Sequence, residues 1–263
     1  QVESLMNRKV QVRKAHVKYM TNQIEGIDSY RSKANFKDQH TILVKDIKSN
    51  VTELTGDNII IATGSRPRDP ENIPTDHEHI LDSDSILSMI YLPASITVLG
   101  GGVISCEYAT IFSVLGVKVT IIDTADRPLR FLDPQLTDNF IESFENENGR
   151  YLGNQKIESV EWDGVSEVVT KLESGEVIRS QKMLVALGRL ANVEILDPQK
   201  VGVTLTPRNQ IIVNEHYQTE VPHIYAVGDV IGFPALASTS MEQGRRAVYH
   251  ALGMDVGIPF ENV

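Results

Sequence analysis

The sequence predicts an α/β protein in which a parallel sheet lies beside an antiparallel meander. The first observation is a strand at residues 96–99, three consecutive glycines, an apolar helix over residues 103–115 and a second strand at residues 117–122. This succession is typical of a βαβ unit, whose two strands are parallel. The second observation is the alternation of apolar and polar residues from residue 157 onwards, interrupted by Asp-Gly and Ser-Gly turns. Such alternation predicts antiparallel strands joined by hairpins.

The composition is that of a globular chain long enough for about two domains. Its 263 residues are 41% hydrophobic and include 25 Lys and Arg against 35 Asp and Glu, which gives a formal net charge of −10. This negative balance argues against nucleic acid and anionic membranes as partners, because both are polyanionic. No apolar run approaches the roughly 18 residues of a membrane span. The single cysteine, Cys106, excludes an internal disulfide and favours a cytoplasmic setting.

The elements before the glycine turn are a helix, short strands and a connection. Residues 2–21 lack glycine and proline and predict a helix with a basic outer face. Strands are predicted at residues 29–36, 41–45 and 58–62. The continuous apolar run of the last one is typical of a strand buried on both faces of a parallel sheet. The proline-rich residues 66–75 predict an irregular connection, and residues 82–89 predict a short helix capped by Ser83 or Asp84.

The elements after the βαβ unit continue the α/β pattern. A second helix is predicted over residues 133–149, because its Asp-Pro start suits a helix N-terminus and its apolar residues recur at helical spacing. After the meander, buried strands are predicted at residues 183–187 and 223–227, and a last helix at residues 238–252. The whole chain therefore predicts an α/β fold with one complete βαβ unit.

The glycine turn is the strongest functional signal in the sequence. Gly100 permits the tight turn after the strand, and Gly102 lets the backbone approach a pyrophosphate at the N-terminus of the following helix. Ser105 stands where the motif has its last glycine and is small enough for close helix–strand packing. The residues expected to surround the pyrophosphate are Gly100, Gly101, Gly102, Val103 and Ile104.

An acidic residue follows the turn at the spacing of a dinucleotide site. Asp123 lies 23 residues after Gly100, at the end of the second strand. A carboxylate there accepts hydrogen bonds from the ribose hydroxyls and repels a 2′-phosphate, which favours NAD over NADP. The alternative is a glycine turn with a purely structural role. Strand, turn, helix, strand and acid in this order predict a dinucleotide site.

Four motifs stand in the order of a known flavoprotein family. They read ATGSRP at residues 62–67, GGGVISCE at 100–107, LGR at 187–189 and YAVGD at 225–229. With them the chain resembles, over nearly all its length, the two-dinucleotide-binding flavoproteins of the pyridine nucleotide-disulfide oxidoreductase family. Within that family, residues 82–88 and 229–245 resemble the transhydrogenase members.

The resemblance implies a Rossmann-like NAD-binding domain inserted into a partial FAD-binding domain. Residues 93–220 would form the inserted domain, and residues 1–92 and 221–263 the two FAD-domain segments. Family members also have an N-terminal FAD-binding βαβ unit and a C-terminal dimerisation domain, so this chain is expected to be a fragment of a homodimeric flavoenzyme. The implied activity is hydride transfer between NAD(H) and NADP(H) through FAD, without a catalytic acid or base. The fragment alone is expected to be inactive.

The resemblance also implies roles for single residues. Asp229 resembles the carboxylate that bonds the ribityl hydroxyls of the flavin, and Glu107 resembles the acid at the nicotinamide end of the site. Gly64 and Gly188 belong to two of the motifs and are expected to approach the cofactors. Val103 stands where many members have a tyrosine that covers the flavin, so nicotinamide access is expected to be ungated. The alternatives are a loop acid for Asp229 and a helix-surface residue for Glu107.

Asp123 disfavours the 2′-phosphate of NADP, so a cation nearby would favour NADP binding. The resemblance to transhydrogenases implies an arginine shortly after that acid, where this chain has Ala125. Arg127 and Arg130 follow, and a guanidinium pairs well with phosphate oxygens. We expect Arg127 to hold the 2′-phosphate, and the alternative is a solvated loop charge.

Two other functions fit the same motifs. A dithiol–disulfide reductase of the family, such as a lipoamide dehydrogenase, would need a redox cysteine pair upstream of Gln1, because Cys106 is interpreted as a small core residue. The chain alone could also be a noncatalytic NAD-binding module, which would lack the yellow colour of a flavin. His77 and His79 alternate with Glu78 in a loop without ligand geometry, so no metal site is expected.

Overall fold

A computed structural model describes residues 26–255, together with Gln11 and Ala15. The helix predicted over residues 2–21 therefore lies outside the described residues, apart from those two positions. The chain divides into two compact units. We call residues 67–188 the middle unit, and residues 26–66 with 189–255 the flanking unit.

The secondary structure of the described residues alternates between short strands and a few helices. The strands are β1 Lys33–Phe36, β2 Thr41–Lys45, β3 Val51–Thr55, β4 Ile59–Ile61, β5 Ser65–Pro67, β6 Ile80–Asp82, β7 Ser95–Leu99, β8 Lys118–Ile122, β9 Gly149–Leu152, β10 Ile157–Trp162, β11 Val168–Leu172, β12 Val177–Ser180, β13 Lys182–Val185, β14 Arg189–Ala191 and β15 Ile224–Ala226. The α-helices are α1 Val103–Val114, α2 Pro134–Asn146 and α3 Ala237–Ala251. The 3₁₀ helices are Ser85–Ser88, Pro198–Val201 and Gly228–Ile231.

Five parallel strands form the central sheet of the middle unit, in the order β6, β13, β7, β8, β9. Successive side chains of a strand point to opposite faces, so each strand contributes to two cores. In β7, Val98 packs against α1 and α2, whereas Leu99 packs against the meander. The sheet is therefore covered on both faces, as parallel sheets are.

The two helices of the middle unit begin where the sequence predicts, and α2 ends at Asn146, before the predicted end at residue 149. α1 buries Ala109 and Phe112 against the sheet and ends before Gly116, whose φ of 84° suits a glycine. At the start of α2, the Asp133 carboxylate accepts a hydrogen bond of 2.8 Å from the Gln135 N–H, and Pro134 occupies the first turn. These signals confirm the predicted helices because each end satisfies backbone groups that a helix leaves unpaired.

The meander is an antiparallel sheet of β10, β11 and β12. Its inner side chains, among them Val160 and Leu172, pack on the face of the central sheet opposite the helices. The buried hydroxyls of Thr97 and Ser180 lie 2.8 Å apart and join β7 to the meander. The predicted alternation is thus confirmed, and the central sheet is held between α-helices and β-strands.

The flanking unit contains three small sheets. β1, β2 and β3 form an antiparallel sheet, while β4 pairs in parallel with β15, and β5 pairs with β14. Phe36, Ile59 and Ile224 meet in one core. The buried Gln243 of α3 accepts a hydrogen bond of 2.7 Å from the Gly228 N–H, which fixes the chain directly after β15.

The limits of the compact units differ from the predicted limits of the inserted domain. The middle unit spans residues 67–188 instead of 93–220. It begins earlier because β6 pairs with β13 at the edge of the central sheet. It ends earlier because apolar side chains after residue 188, such as Val193 and Val203, are buried in the core of the flanking unit.

Three local predictions are wrong. The helix predicted over residues 82–89 is a single 3₁₀ turn, whose N-cap residue is Asp84 as predicted, although the Asp84 side chain makes no capping hydrogen bond. The Asp82 carboxylate accepts hydrogen bonds of 2.9 and 2.7 Å from the N–H groups of Asp84 and Ser85. β4 is buried on one face only, since Ile60 is 37% exposed. The sequence predicts no regular structure over residues 66–75, but residues 66 and 67 belong to strand β5.

Candidate functional site

The first two glycines of the turn are required by the protein around them. Gly100 has a φ of 100°, and a Cβ atom there would lie 2.8 Å from the Ala186 carbonyl oxygen. A Cβ atom on Gly101 would collide with the Asp123 carboxylate. The Leu129 N–H donates a hydrogen bond of 2.8 Å to the Gly101 carbonyl oxygen. The turn is thereby pressed between three neighbouring segments, where only glycine fits.

Gly102 differs from its neighbours because it faces open space. A Cβ atom there would meet no protein atom within 4 Å. The first backbone hydrogen bond of α1 runs from the Cys106 N–H to the Gly102 carbonyl oxygen at 3.0 Å, so the N–H groups of the three residues between them have no partner within the helix. A helix N-terminus with free N–H groups and a side-chain-free approach fits a pyrophosphate.

Ser105 provides the close packing that the motif usually assigns to glycine. It is fully buried, and its hydroxyl donates a hydrogen bond of 3.3 Å to the Ala186 carbonyl oxygen. The replacement of glycine by serine thus adds a hydrogen bond between α1 and the end of β13, and leaves the turn in place.

Asp123 lies at the carboxyl end of β8, beside the glycine turn. Its carboxylate accepts a hydrogen bond of 3.2 Å from the Ala125 N–H, and it lines a cavity of about 290 Å³. The cavity walls include Leu99, Ile122, Thr124, Gln155, Lys156 and Leu187. Ligands of open α/β sheets bind at this edge, outside the carboxyl ends of the strands. The structure therefore brings Asp123 and the glycine turn together, as the spacing predicts.

Arg127 lies in the loop after β8, outside the set of residues that line this cavity. Its Nε atom is buried and has no hydrogen-bond partner among the described residues. Arg130 pairs at 3.9 Å with the exposed Asp126. The loop is fixed by the Asn154 N–H, which donates a hydrogen bond of 2.9 Å to the Ala125 carbonyl oxygen.

Val103 and Glu107 lie on the outer side of α1 and are exposed, Val103 by 47%. They line a groove of about 660 Å³ whose other walls are mainly apolar, among them Ile111 and Phe131. The structure thus places the two residues of the expected nicotinamide end side by side, one helical turn apart.

Cys106 is the buried neighbour of Glu107 on α1. Only 4% of its surface is exposed. Burial, with smaller contributions from the Asp123 and Glu107 charges, raises the pKa of the Cys106 thiol to about 12. The thiol therefore stays protonated at neutral pH, which agrees with the interpretation of Cys106 as a core residue.

The expected flavin-side residues lie in the flanking unit. The Ser65 hydroxyl donates a hydrogen bond of 2.7 Å to one oxygen of the Asp229 carboxylate, and the Arg189 guanidinium donates one of 2.7 Å to the Ser65 hydroxyl. Within the described residues, the other oxygen of Asp229 accepts no hydrogen bond. Asp229 is thus oriented by a side chain from the ATGSRP motif and keeps a free acceptor.

Gly64 and Gly188 have φ values of 69° and 103°, and a Cβ atom on either would meet no atom within 4 Å. Gly64 lies beside a cavity of about 560 Å³ whose walls include Thr63, Arg66 and Asn192. The Gly64 carbonyl oxygen accepts a hydrogen bond of 3.0 Å from the Asn192 N–H. The sequence predicted neither Ser65 nor Asn192 as a site residue, since their partners lie more than a hundred residues away along the chain.

The chain matches the family described as pyridine nucleotide-disulphide oxidoreductase over residues 2–244. The chain belongs to this family. Membership confirms the resemblance seen in the four motifs. Curated relatives named soluble pyridine nucleotide transhydrogenase include one from Mycobacterium bovis, 43% identical over 228 residues, and one from Chromohalobacter salexigens, 44% identical over 214 residues. These alignments cover 86% and 81% of this chain and 48% and 46% of the relatives, so the chain spans about half their length.

Two solved structures share the fold. The HOCl-induced flavoprotein disulfide reductase RclA from Escherichia coli superposes with a TM-score of 0.86 at 25% identity, covering 95% of this chain and 56% of that one. LpdA from Mycobacterium tuberculosis superposes with a TM-score of 0.88 at 27% identity, covering 99% of this chain and 58% of that one. The Rossmann-like α/β fold predicted from the βαβ unit is therefore confirmed.

The histidines of the loop before β6 face different partners. His79 stacks on Trp162 with ring centroids 3.7 Å apart and pairs with Asp76 at 3.2 Å, whereas His77 faces Asp82 at 3.5 Å. No cluster of three potential metal ligands occurs within the described ranges.

Among the helices that the structure describes, none has the length and apolar character that crossing a membrane requires.

Proposed function

We propose that this chain is the nicotinamide-nucleotide-binding part of an FAD-dependent oxidoreductase that transfers hydride between NAD(H) and NADP(H). The observation that carries the proposal is the open approach to Gly102 at the N-terminus of α1, next to the Asp123 carboxylate. The names of the curated relatives support the transhydrogenase reaction. FAD, when bound, supplies the hydride-accepting chemistry, and the protein supplies binding and orientation.

In this proposal the middle unit binds the pyridine nucleotide. The free N–H groups at the start of α1 bind the pyrophosphate, and Asp123 accepts hydrogen bonds from the adenosine ribose. Glu107 and the short side chain of Val103 lie toward the nicotinamide end, where Val103 leaves the approach uncovered. No side chain is assigned as a catalytic acid or base, because hydride transfer needs none.

The flanking unit contributes to the flavin site in the same proposal. The free oxygen of Asp229 fits a ribityl hydroxyl as an acceptor, and its hydrogen bond from Ser65 holds the carboxylate in place. Gly64 has no side chain and directly follows Thr63, which lines the cavity of about 560 Å³. The full-length protein is proposed to be a homodimer, as the resemblance to the family implies.

A disulfide reductase of the same family is the second candidate, since a solved structure with the same fold bears that description. Its chemistry needs a reactive dithiol. Cys106 is the single cysteine of this sequence and is buried, so these residues hold no such dithiol. Assaying the full-length protein for nucleotide-to-nucleotide and nucleotide-to-disulfide hydride transfer separates the two candidates.

Substitution of Gly102 tests the proposed nucleotide site. In Gly102→Val the added side chain occupies space that no protein atom fills, so we expect the free energy of unfolding to fall by less than about 2 kcal/mol. The same side chain blocks the backbone approach to the pyrophosphate, so calorimetry should detect no NAD(H) binding. A folded Gly102→Val variant that keeps its affinity for NAD(H) would disprove the site.

A further inference from the structure

The cavity beside Asp123 contains a positively charged side chain, that of Lys156, which the glycine motif does not predict. Its walls carry two carboxylates, those of Asp123 and Glu173. Of the described residues that line it, Lys156 is the only basic one. The cavity therefore has two acidic groups and one ammonium group at the edge of the sheet where the ribose of the nucleotide is proposed to bind.

Backbone hydrogen bonds hold the segment of Lys156 at this place. The Gln155 N–H donates a bond of 2.9 Å to the Asp123 carbonyl oxygen, and the Glu173 N–H donates one of 2.9 Å to the Lys156 carbonyl oxygen. Just before this segment, a Cβ atom on Gly153 would lie 2.5 Å from the Asp126 carbonyl oxygen, so the strand end of β9 and the loop after β8 are in close contact. The position of Lys156 next to the Asp123 end of β8 is thus set by the fold.

The Lys156 ammonium has no acidic partner among the described residues. Basic side chains elsewhere on the meander are paired: Lys171 lies 3.8 Å from Glu161, and Arg179 lies 3.4 Å from Glu167. An exposed, unpaired ammonium on a cavity wall remains available for an anionic group of a ligand. The Asp123 and Glu173 carboxylates of the cavity repel a phosphate, and the Lys156 ammonium is the group that attracts it.

We propose that Lys156 recognises the 2′-phosphate on the adenosine ribose of NADP(H). The inference rests on the proposed function, because it takes the ribose to lie at Asp123. A 2′-phosphate would bring negative charge next to the Asp123 and Glu173 carboxylates, which repel it. The Lys156 ammonium offsets this repulsion, so a cavity that favours NAD(H) also accepts NADP(H).

Equilibrium titration of the 263-residue chain with NAD⁺ and with NADP⁺ tests the assignment. In Lys156→Gln we expect the affinity for NADP⁺ to fall roughly fivefold or more, and that for NAD⁺ to stay within about twofold. Lys156→Arg keeps the charge and should keep the affinity for NADP⁺. Lys171→Gln removes a paired lysine of the same meander outside the cavity, and serves as the matched control with both affinities unchanged.

The outcomes separate this inference from the proposed function. If the parent chain binds both nucleotides and Lys156→Gln leaves the ratio of the two affinities unchanged, Lys156 does not recognise the phosphate, while the nucleotide site stands. An equal loss for both nucleotides also contradicts the inference, because it indicates a general effect on the cavity. A parent chain that binds neither nucleotide contradicts the proposed function and the inference together.

Discussion

The Asp123 carboxylate sets the balance between the two nucleotides in this account. In Asp123→Ala we expect the affinity for NAD(H) to fall by about 10- to 100-fold, since a hydrogen bond to a charged group contributes about 1.5–3 kcal/mol. NADP(H) gains from the loss of repulsion, so the difference between the two affinities should narrow. Titration of both nucleotides against the parent and the variant measures this. A difference that stays as large as in the parent would contradict the role given to Asp123.

Arg127 is the other candidate for the 2′-phosphate, but it lies outside the residues that line the Asp123 cavity. If Lys156 holds the phosphate, Arg127→Ala should leave the affinities for NADP(H) and NAD(H) unchanged in the same titrations. A selective loss of NADP(H) affinity in Arg127→Ala would instead assign the phosphate to Arg127. The alternative of a solvated loop charge is correct if NADP(H) affinity does not move.

The proximity of Asp123 to the glycine turn was predictable because a local motif fixes both. Gly100, Gly102 and Asp123 follow from spacing along one βαβ unit, and in the structure the Asp123 carboxylate lies beside Gly101. The position of Lys156 in the cavity was not predictable, because it depends on hydrogen bonds that join its segment to Asp123 and to Glu173, which lie in other elements and which no local pattern records. The need for glycine at position 101 arises likewise from contact with the distant Asp123 side chain.

The buried Cys106 thiol of helix α1 should make the free energy of unfolding fall as the pH rises above 9. The pKa of the buried Cys106 thiol is about 12 against a value of 9.0 in the absence of burial, so between these values the unfolded state loses a proton that the folded state retains. The stability contributed by the protonated thiol is complete below pH 9 and declines as pH rises toward 12.

Denaturant unfolding from pH 7 to pH 10.5 measures this dependence, with Cys106→Ala as the control that lacks the titrating group. The difference in the pH dependence of the free energy of unfolding between parent and control should appear above pH 9, with the parent losing more. A second readout is the reaction of the Cys106 thiol with a thiol reagent. Because the thiol is buried, this reaction should occur only after the chain unfolds. Rapid modification of the folded chain at pH 8 would contradict the burial of this face of α1.

Elements were predictable in proportion to their length and burial pattern. α1, α2 and the meander strands have apolar periodicity and turn or cap residues that specify them, and they occur as predicted. β6 has three residues, too few to show alternation. β3 is exposed at nearly every position, so its sequence has no buried face to indicate a strand. β9 begins at Gly149, which the sequence pattern suggests only as the end of a helix. The reason for glycine there is tertiary, because the ring of Phe144 leaves no room for a side chain.

At the scale of the whole molecule, the two units should differ in their ability to bind cofactors alone. The middle unit contains a complete βαβ unit with its glycine turn, whereas the flanking unit contributes Asp229 and Gly64 but no second glycine turn of this type among the described residues. Because that turn anchors a dinucleotide through its pyrophosphate, a polypeptide of these 263 residues should purify with little or no FAD and no transhydrogenase activity. Flavin absorbance per chain is the measurement, and stoichiometric FAD would contradict this division.

The limits of the compact units could not be derived from the local sequence. The resemblance to the family implies one domain inserted between two segments of another, with limits at residues 93 and 220, whereas the compact unit in the middle of the chain spans residues 67–188. Their limits depend on which core buries residues 67–92 and 189–220, and that is decided by pairing of β6 with β13 and by packing of side chains such as Val203. Strand pairing and packing between distant segments cannot be predicted from the local sequence.

The central claim is that the middle unit forms a pyridine nucleotide site without help from the rest of a longer protein. Isothermal titration of the 263-residue chain with NADH tests it most directly. The account predicts a saturable heat with one site per chain, which is lost in Gly102→Val while the thermal unfolding transition of the variant remains cooperative. A folded parent chain that gives no heat and no rise in Tm with millimolar NADH would contradict it.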